Sequence, residues 1–196
     1  MKNVLITFLM IILAFGNSFG QTTQNPVKEK PHQKDLLNEI YATYGIGSLY
    51  FYIDQNSNSG WSYSSLGSFI FGYTRSMNKV IGVGFQVAFT PVSGTKNDAP
   101  SGTETYNYLQ ALARLKFQYL NKPTFTMYSG IAIGVTMDYY SKTGTGGASS
   151  SKQDIIPAGQ LTLLGFRVGR GVAFCGEFGI GTLSILNLGI SFKFGQ

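Results

Sequence analysis

Residues 80–89 read Val-Ile-Gly-Val-Gly-Phe-Gln-Val-Ala-Phe. Ile81, Val83, Phe85, Val87 and Phe89 occupy every second position, with Gly82, Gly84, Gln86 and Ala88 between them. A helix, with its period of 3.6, cannot gather these apolar residues on one side. A strand does so automatically, because successive side chains point to opposite faces. The pattern recurs at Ile131, Ile133, Val135 and Met137 against Gly130, Ala132, Gly134 and Thr136. It recurs again at Leu186, Leu188, Ile190, Phe192 and Phe194 against Asn187, Gly189, Ser191 and Lys193.

From about Tyr41 onward the alternation predicts eight strands, near 42–53, 62–75, 79–91, 103–118, 123–138, 156–168, 172–180 and 184–194. The connections at 55–59, 92–102 and 141–154 are long or polar. Those at Ser76–Asn78, Leu120–Lys122 and Gly169–Gly171 are tight; Gly181–Leu183 is short although it falls on the long-loop side. Long and short connections in alternation are the mark of an up-and-down barrel in an outer membrane. The expectation is an all-β fold, an eight-stranded antiparallel up-and-down transmembrane β-barrel over residues 41–196, with both termini on the short-turn side.

Composition decides which face meets what. Of 196 residues only 12% are charged, while 14% are aromatic and 25 are Gly. A water-facing surface needs roughly a quarter to a third charged residues. The face opposite the apolar one is mostly Gly, Ala, Ser, Thr and Gln, which suits the crowded interior of a narrow barrel better than a soluble skin. Tyr50, Tyr52, Trp61, Tyr63, Phe89, Tyr106, Tyr108, Tyr139 and Tyr140 lie near the long-loop end. Tyr44, Tyr73, Phe117, Tyr119, Phe125, Phe192 and Phe194 lie near the tight turns. The expectation is two aromatic belts at two membrane interfaces.

The first segment, Met1–Gly20, has Lys2 before an apolar run from Val4 to Phe15, then small residues Ser18 and Gly20, and reads as a signal peptide cleaved after Gly20. Residues 21–40 read as a polar periplasmic leader. The net charge of +6 does not form a stripe, so nucleic acid is not an expected partner.

Few charges fall on the inward face: Arg114, Lys116, Arg167, Glu177 and Lys193. Glu177 is the lone acid among them, and the expectation is that it is paired within a polar cluster that plugs the lumen. A hairpin centred near Arg170 offsets Arg167 and Glu177 by about four positions, which leaves a direct pair between them open. The alternative is a charged constriction in a narrow channel for small solutes. Arg75, Lys79, Lys122 and Arg170 mark the tight-turn end.

No catalytic arrangement is legible. The one histidine, His32, lies in the leader, so no Ser–His–Asp set assembles in the barrel. Asp138 and Asp154 flank the longest loop without further constraint. Gly144–Gly147 lacks the lysine and the strand-to-helix setting of a phosphate loop. No enzyme activity, cofactor or metal site is expected.

Several stretches carry a resemblance. Met127–Gly134, Ala158–Gly165, and Glu177–Thr182 continuing through Leu188–Phe194 are similar to the small outer-membrane β-barrel, porin-like proteins of the Bacteroidetes. Gly72–Arg75 with Asn78 and Lys79 looks like the first periplasmic hairpin of that family. Asn187, Gly189, Phe192 and Phe194 resemble the C-terminal insertion signal of outer-membrane barrels, although Gly195 and Gln196 follow the final aromatic. The resemblance implies an outer-membrane barrel recognised by the barrel-assembly machinery and no catalytic residues; the expected role is structural or surface-interactive, with outer-membrane lipids as surrounding partners.

Overall fold

The structure is a computed structural model that describes residues 38–57, 62–96, 102–144 and 149–195. The expected signal peptide, nearly all of the expected leader, and Trp61 lie outside the described residues. The elements are β1 (Asn38–Ile46), α1 (Leu49–Ser57), β2 (Ser62–Ser65), β3 (Ser68–Ser76), β4 (Ile81–Lys96), β5 (Gly102–Lys122), β6 (Phe125–Gly144), β7 (Ser149–Gly169), β8 (Val172–Gly181) and β9 (Leu186–Phe194).

All pairings are antiparallel. The order runs β4-β3-β1-β9-β8-β7-β6-β5, and β5 returns to β4 along sixteen residue pairs, from Ile81↔Phe117 to Lys96↔Gly102. The ring of eight strands therefore has no open edge at its waist. First and last strands meet in register from Asn38↔Phe194 to Ile46↔Leu186. Closure removes the unpaired N–H and C=O groups that a sheet edge exposes.

The outward face is apolar. Phe71, Phe85, Ile131, Ile133, Ile180, Ile190 and Phe192 are among the many large hydrophobic side chains exposed on the wall. On β5 the outward series Leu109, Ala111, Ala113, Leu115, Phe117 and Tyr119 spans ten residue steps. At about 3.3 Å per step and a tilt near 40° this is about 25 Å along the axis, the height of a lipid-facing band. No helix among the described residues is long and apolar enough to cross a membrane.

Several expectations need correction. The segment expected as a strand at 42–53 ends at Ile46, and Leu49–Ser57 is a helix. Gly47, at φ 78°, stops the strand, and Ser48 stands where a helix N-cap belongs. Leu49–Ile53 is apolar at every position, so no period distinguishes strand from helix there. The expected strand at 62–75 is split at Leu66–Gly67, where Gly67 has φ 86°. The turn expected at Leu120–Lys122 sits at Pro123–Thr124, and β1 begins at Asn38, three residues inside the expected leader. Finally, β4, β5, β6 and β7 extend well past the expected strand ends, so much of the polar stretches at 92–102 and 141–154 continues the sheet.

Candidate functional site

Two places gather polar chemistry: the lumen, and the sheet that stands above the apolar band.

In the lumen the carboxylate of Glu39 bridges two strands. Its Oε2 lies 2.7 Å from Lys116 Nζ and its Oε1 3.2 Å from Arg167 Nε. Lys193 stands opposite it in the β1–β9 register. Arg167 also donates to Ser191 Oγ at 2.8 Å and to the carbonyls of Gly169, Arg170 and Gly171 at 2.6–2.8 Å, which ties the β7–β8 turn to the lumen floor. One level away, Arg114 pairs with Glu177 and donates to Tyr41 Oη at 2.7 Å. Tyr128 donates to Glu177 at 2.8 Å. The guanidinium of Arg114 lies 5.2 Å from the Tyr41 ring and 5.7 Å from the Tyr128 ring, with Lys116 Nζ 3.9 Å from the latter. Such contacts strengthen as water is excluded.

Two glycines make room for these rings. A Cβ on Gly72 would stand 2.2 Å from the Tyr41 ring, and one on Gly165 2.1 Å from that of Tyr128. Small residues on the inner face are what let two tyrosines and an arginine share one cross-section.

An apolar layer of Ile70, Ala88, Leu112, Ala132, Ala158 and Leu183 is a further part of the filling. Leu183 arrives from the β8–β9 connection, which folds inward: Gln160 Nε2 donates to Ser184 O at 2.8 Å, and Ser68 Oγ to Leu183 O at 2.6 Å. This explains a short connection on the long-loop side. Tyr50 of α1 packs beside Tyr63, Val92 and Tyr108, stacking on Tyr108 at 4.8 Å and donating to Pro157 O at 2.9 Å. Among the described residues, ion-pair, apolar and tyrosine layers thus follow one another inside the ring.

Of the residues expected inward, Arg114, Lys116 and Arg167 are buried, Glu177 is half-buried against Arg114 and Tyr128, and Lys193 is half-buried opposite Glu39. Sequence reasoning missed Glu39, which lay in the presumed leader, so Glu177 is not the lone inward acid. Arg167 does not pair with Glu177. The β7–β8 register sets Arg167 against Cys175 and Glu177 against Gly165, so Arg167 turns to Glu39 while Arg114 takes Glu177. Of the insertion-signal residues, Asn187 is buried and accepts from Ser184, Gly189 packs against β1 backbone, and Phe192 and Phe194 stack on the outer wall at 5.8 Å.

Above the band, β2, β4, β5, β6 and β7 form a projecting sheet. β8 leaves β7 at the pair Gln160↔Gly181, and among the described residues no strand covers the β7 edge from Ser149 to Ile156. Glu104 sits inside this sheet, buried, and accepts from Tyr140 at 3.0 Å and Tyr63 at 3.3 Å while pairing with Lys142 at 2.7 Å. Burial pushes its carboxyl up, but Lys142 and the two tyrosine hydroxyls outweigh burial and hold it below its ordinary value. Burial and the neighbouring Glu104 raise Tyr140 to about 12. These rings correct the expected upper belt. Tyr50, Tyr63, Tyr106, Tyr108 and Tyr140 are on the inner side, whereas Tyr44, assigned to the lower belt, packs edge-on against Phe69 near the mouth. Proximity to a loop had decided those assignments, when the parity of each strand position decides the face.

Among the described residues no group of three or more His, Cys, Asp or Glu is placed to hold a metal ion. No family model and no curated protein matches the chain. Solved structures similar in outline include Ail, the attachment invasion locus protein of Yersinia pestis, in complex with the heparin analogue sucrose octasulfate, and a second structure of Ail. The first has a TM-score of 0.46 at 13% identity over 79% of this chain and 94% of that one. The second has 0.43 at 12% identity over 79% and 91%.

Proposed function

We propose that this chain is an outer-membrane barrel of a Gram-negative cell, of the Bacteroidetes kind its hairpins resemble, and that it works by presenting a surface rather than by conducting solutes. The barrel-assembly machinery and membrane lipids are its expected partners in reaching and holding that position. The observation that carries the reading is the behaviour of the longest strands. β5, β6 and β7 run past the apolar band, and there no strand among the described residues covers the β7 edge over Ser149–Ile156. An uncovered strand edge offers N–H and C=O groups to an extended partner, which adds as a further strand. The rest of the barrel then serves as a rigid mount, and the packed lumen argues against a channel.

The test is twofold. Full-length protein in planar bilayers is expected to give no unitary conductance steps; reproducible steps of one size would overturn the presenting role. A Ser151→Cys variant on intact cells is expected to react with a membrane-impermeant maleimide, and protection until the outer membrane is broken would overturn the orientation.

A further inference from the structure

The wall of the barrel carries a groove of about 520 Å³ over β1. Its floor is Ile40 and Ala42. The β1–β3 and β1–β9 registers set Ile40 between Tyr73 and Phe192, and Ala42 between Phe71 and Ile190. Both flanks are braced. Tyr73 packs on Phe85 at 5.8 Å and donates to Asn38 Oδ1 at 2.6 Å, while Phe192 stacks on Phe194. A residue as small as Ala between such flanks leaves a channel running along the strand.

Two arginines stand beyond the lower end of the groove. Arg75 follows Tyr73 by two residues on the same outward face of β3, so its Cα stands about 7 Å further toward the turns. Arg170 lies in the turn two residues before Val172, which lines the opposite flank. Both arginines are exposed, and neither is in an ion pair among the described residues.

An apolar slot with two exposed arginines on the strand and turn just beyond its lower end suits the chemistry of a phospholipid: an acyl chain along the slot and an anionic headgroup at its foot. Building on the membrane placement proposed above, we infer that the groove over Ala42 is a selective site for one anionic phospholipid of the leaflet on the tight-turn side, with Arg75 and Arg170 at the headgroup.

Native mass spectrometry of the full chain, released from bilayer nanodiscs holding equal phosphatidylglycerol and phosphatidylcholine, tests this. The wild type is expected to retain one phospholipid, predominantly phosphatidylglycerol. Ala42→Phe fills the slot from the lipid side, where no protein packing opposes it, and is expected to abolish retention. Arg75→Gln is expected to keep a bound lipid but to lower the preference for phosphatidylglycerol about fivefold, the worth of one basic side chain at an anionic surface. Retention unchanged in A42F, or no headgroup preference in the wild type, overturns the site. Dimers of the wild type that A42F converts to monomers overturn it too, because the groove is then an interface between two copies. Failure of the wild type to enter nanodiscs at all would count against the membrane placement instead.

Discussion

Glu39→Gln is the sharpest perturbation of the lumen, because it removes one charge and strands two. The carboxylate serves Lys116 at 2.7 Å and Arg167 at 3.2 Å, and its side chain is 8% exposed. Removing one member of a buried ion pair costs about 3–5 kcal/mol, since the remaining charge keeps its desolvation without its partner. Two features pull this toward the lower bound. Arg167 keeps Ser191 and three turn carbonyls, and Lys116 keeps the Tyr128 ring at 3.9 Å. A loss of about 3 kcal/mol is therefore expected from urea unfolding in lipid vesicles, followed by far-ultraviolet circular dichroism. Asp154→Asn is the control. Its pair with Lys152 is exposed by 47% and 69%, so solvent screens it and little stability is expected from it. Glu39→Gln combined with Lys116→Met replaces a stranded ammonium by an apolar chain and is expected to recover about 1 kcal/mol or more. If Glu39→Gln unfolds within about 0.5 kcal/mol of the wild type, or no more easily than Asp154→Asn, the lumen pairs do not hold the barrel as argued.

Gly165→Ala sets a methyl against the Tyr128 ring and is expected to cost about 1–3 kcal/mol in the same assay, with the penalty reduced when Tyr128→Leu is added. A loss in the double variant equal to the sum of the single ones would show that the ring does not need that glycine. Glu104 has a depressed carboxyl, so its contribution is present above the unfolded value near 4.3 and is lost as pH falls through the lower folded value. Amides of β5 and β6 above the band are then expected to lose exchange protection as the pH falls below the ordinary carboxylate range in the wild type and not in Glu104→Gln. Tyr140, raised to about 12, favours folding below its ordinary value of 10 and loses that contribution as pH rises between the two. Ultraviolet titration is expected to show it ionising late, and earlier in Glu104→Gln.

The barrel was legible wherever one strand face is apolar and the other is not. That contrast marks 81–89, 131–137 and 186–194, and there the expected strands and the structure coincide. It vanishes in two situations. Leu49–Ile53 is apolar throughout, so a helix with Leu49, Tyr52 and Ile53 outward and Tyr50 inward has no strand-like signature; Gly47 and Ser48 were the available warning. Above the band the outward face is no longer apolar, so the Ser- and Thr-rich ends of β4 to β7 lose the alternation while keeping their hydrogen bonds. The lumen was half legible. Parity alone turned Arg114, Lys116, Arg167, Glu177 and Lys193 inward, but partners depend on the register and on which side chains meet across the barrel. A bulge between Thr162 and Leu164 and the closing pairing of β1 with β9 determine those, and neither is a local property of sequence. Glu39 escaped notice because a single charge at a strand start carries no periodicity.

The central claim is that one face of these strands meets hydrocarbon and the other meets packed side chains. Nuclear Overhauser contacts from methyl groups of the wild-type protein in nanodiscs test it most directly. Ile131, Ile133 and Val135 are expected to show cross-peaks to lipid acyl protons, and Ala132 and Leu112, between and beside them on the inner face, are expected to show none to lipid and none to water. Water contacts at Ala132 and Leu112 would contradict the packed lumen, and the absence of acyl contacts at Ile131, Ile133 and Val135 would contradict the membrane wall.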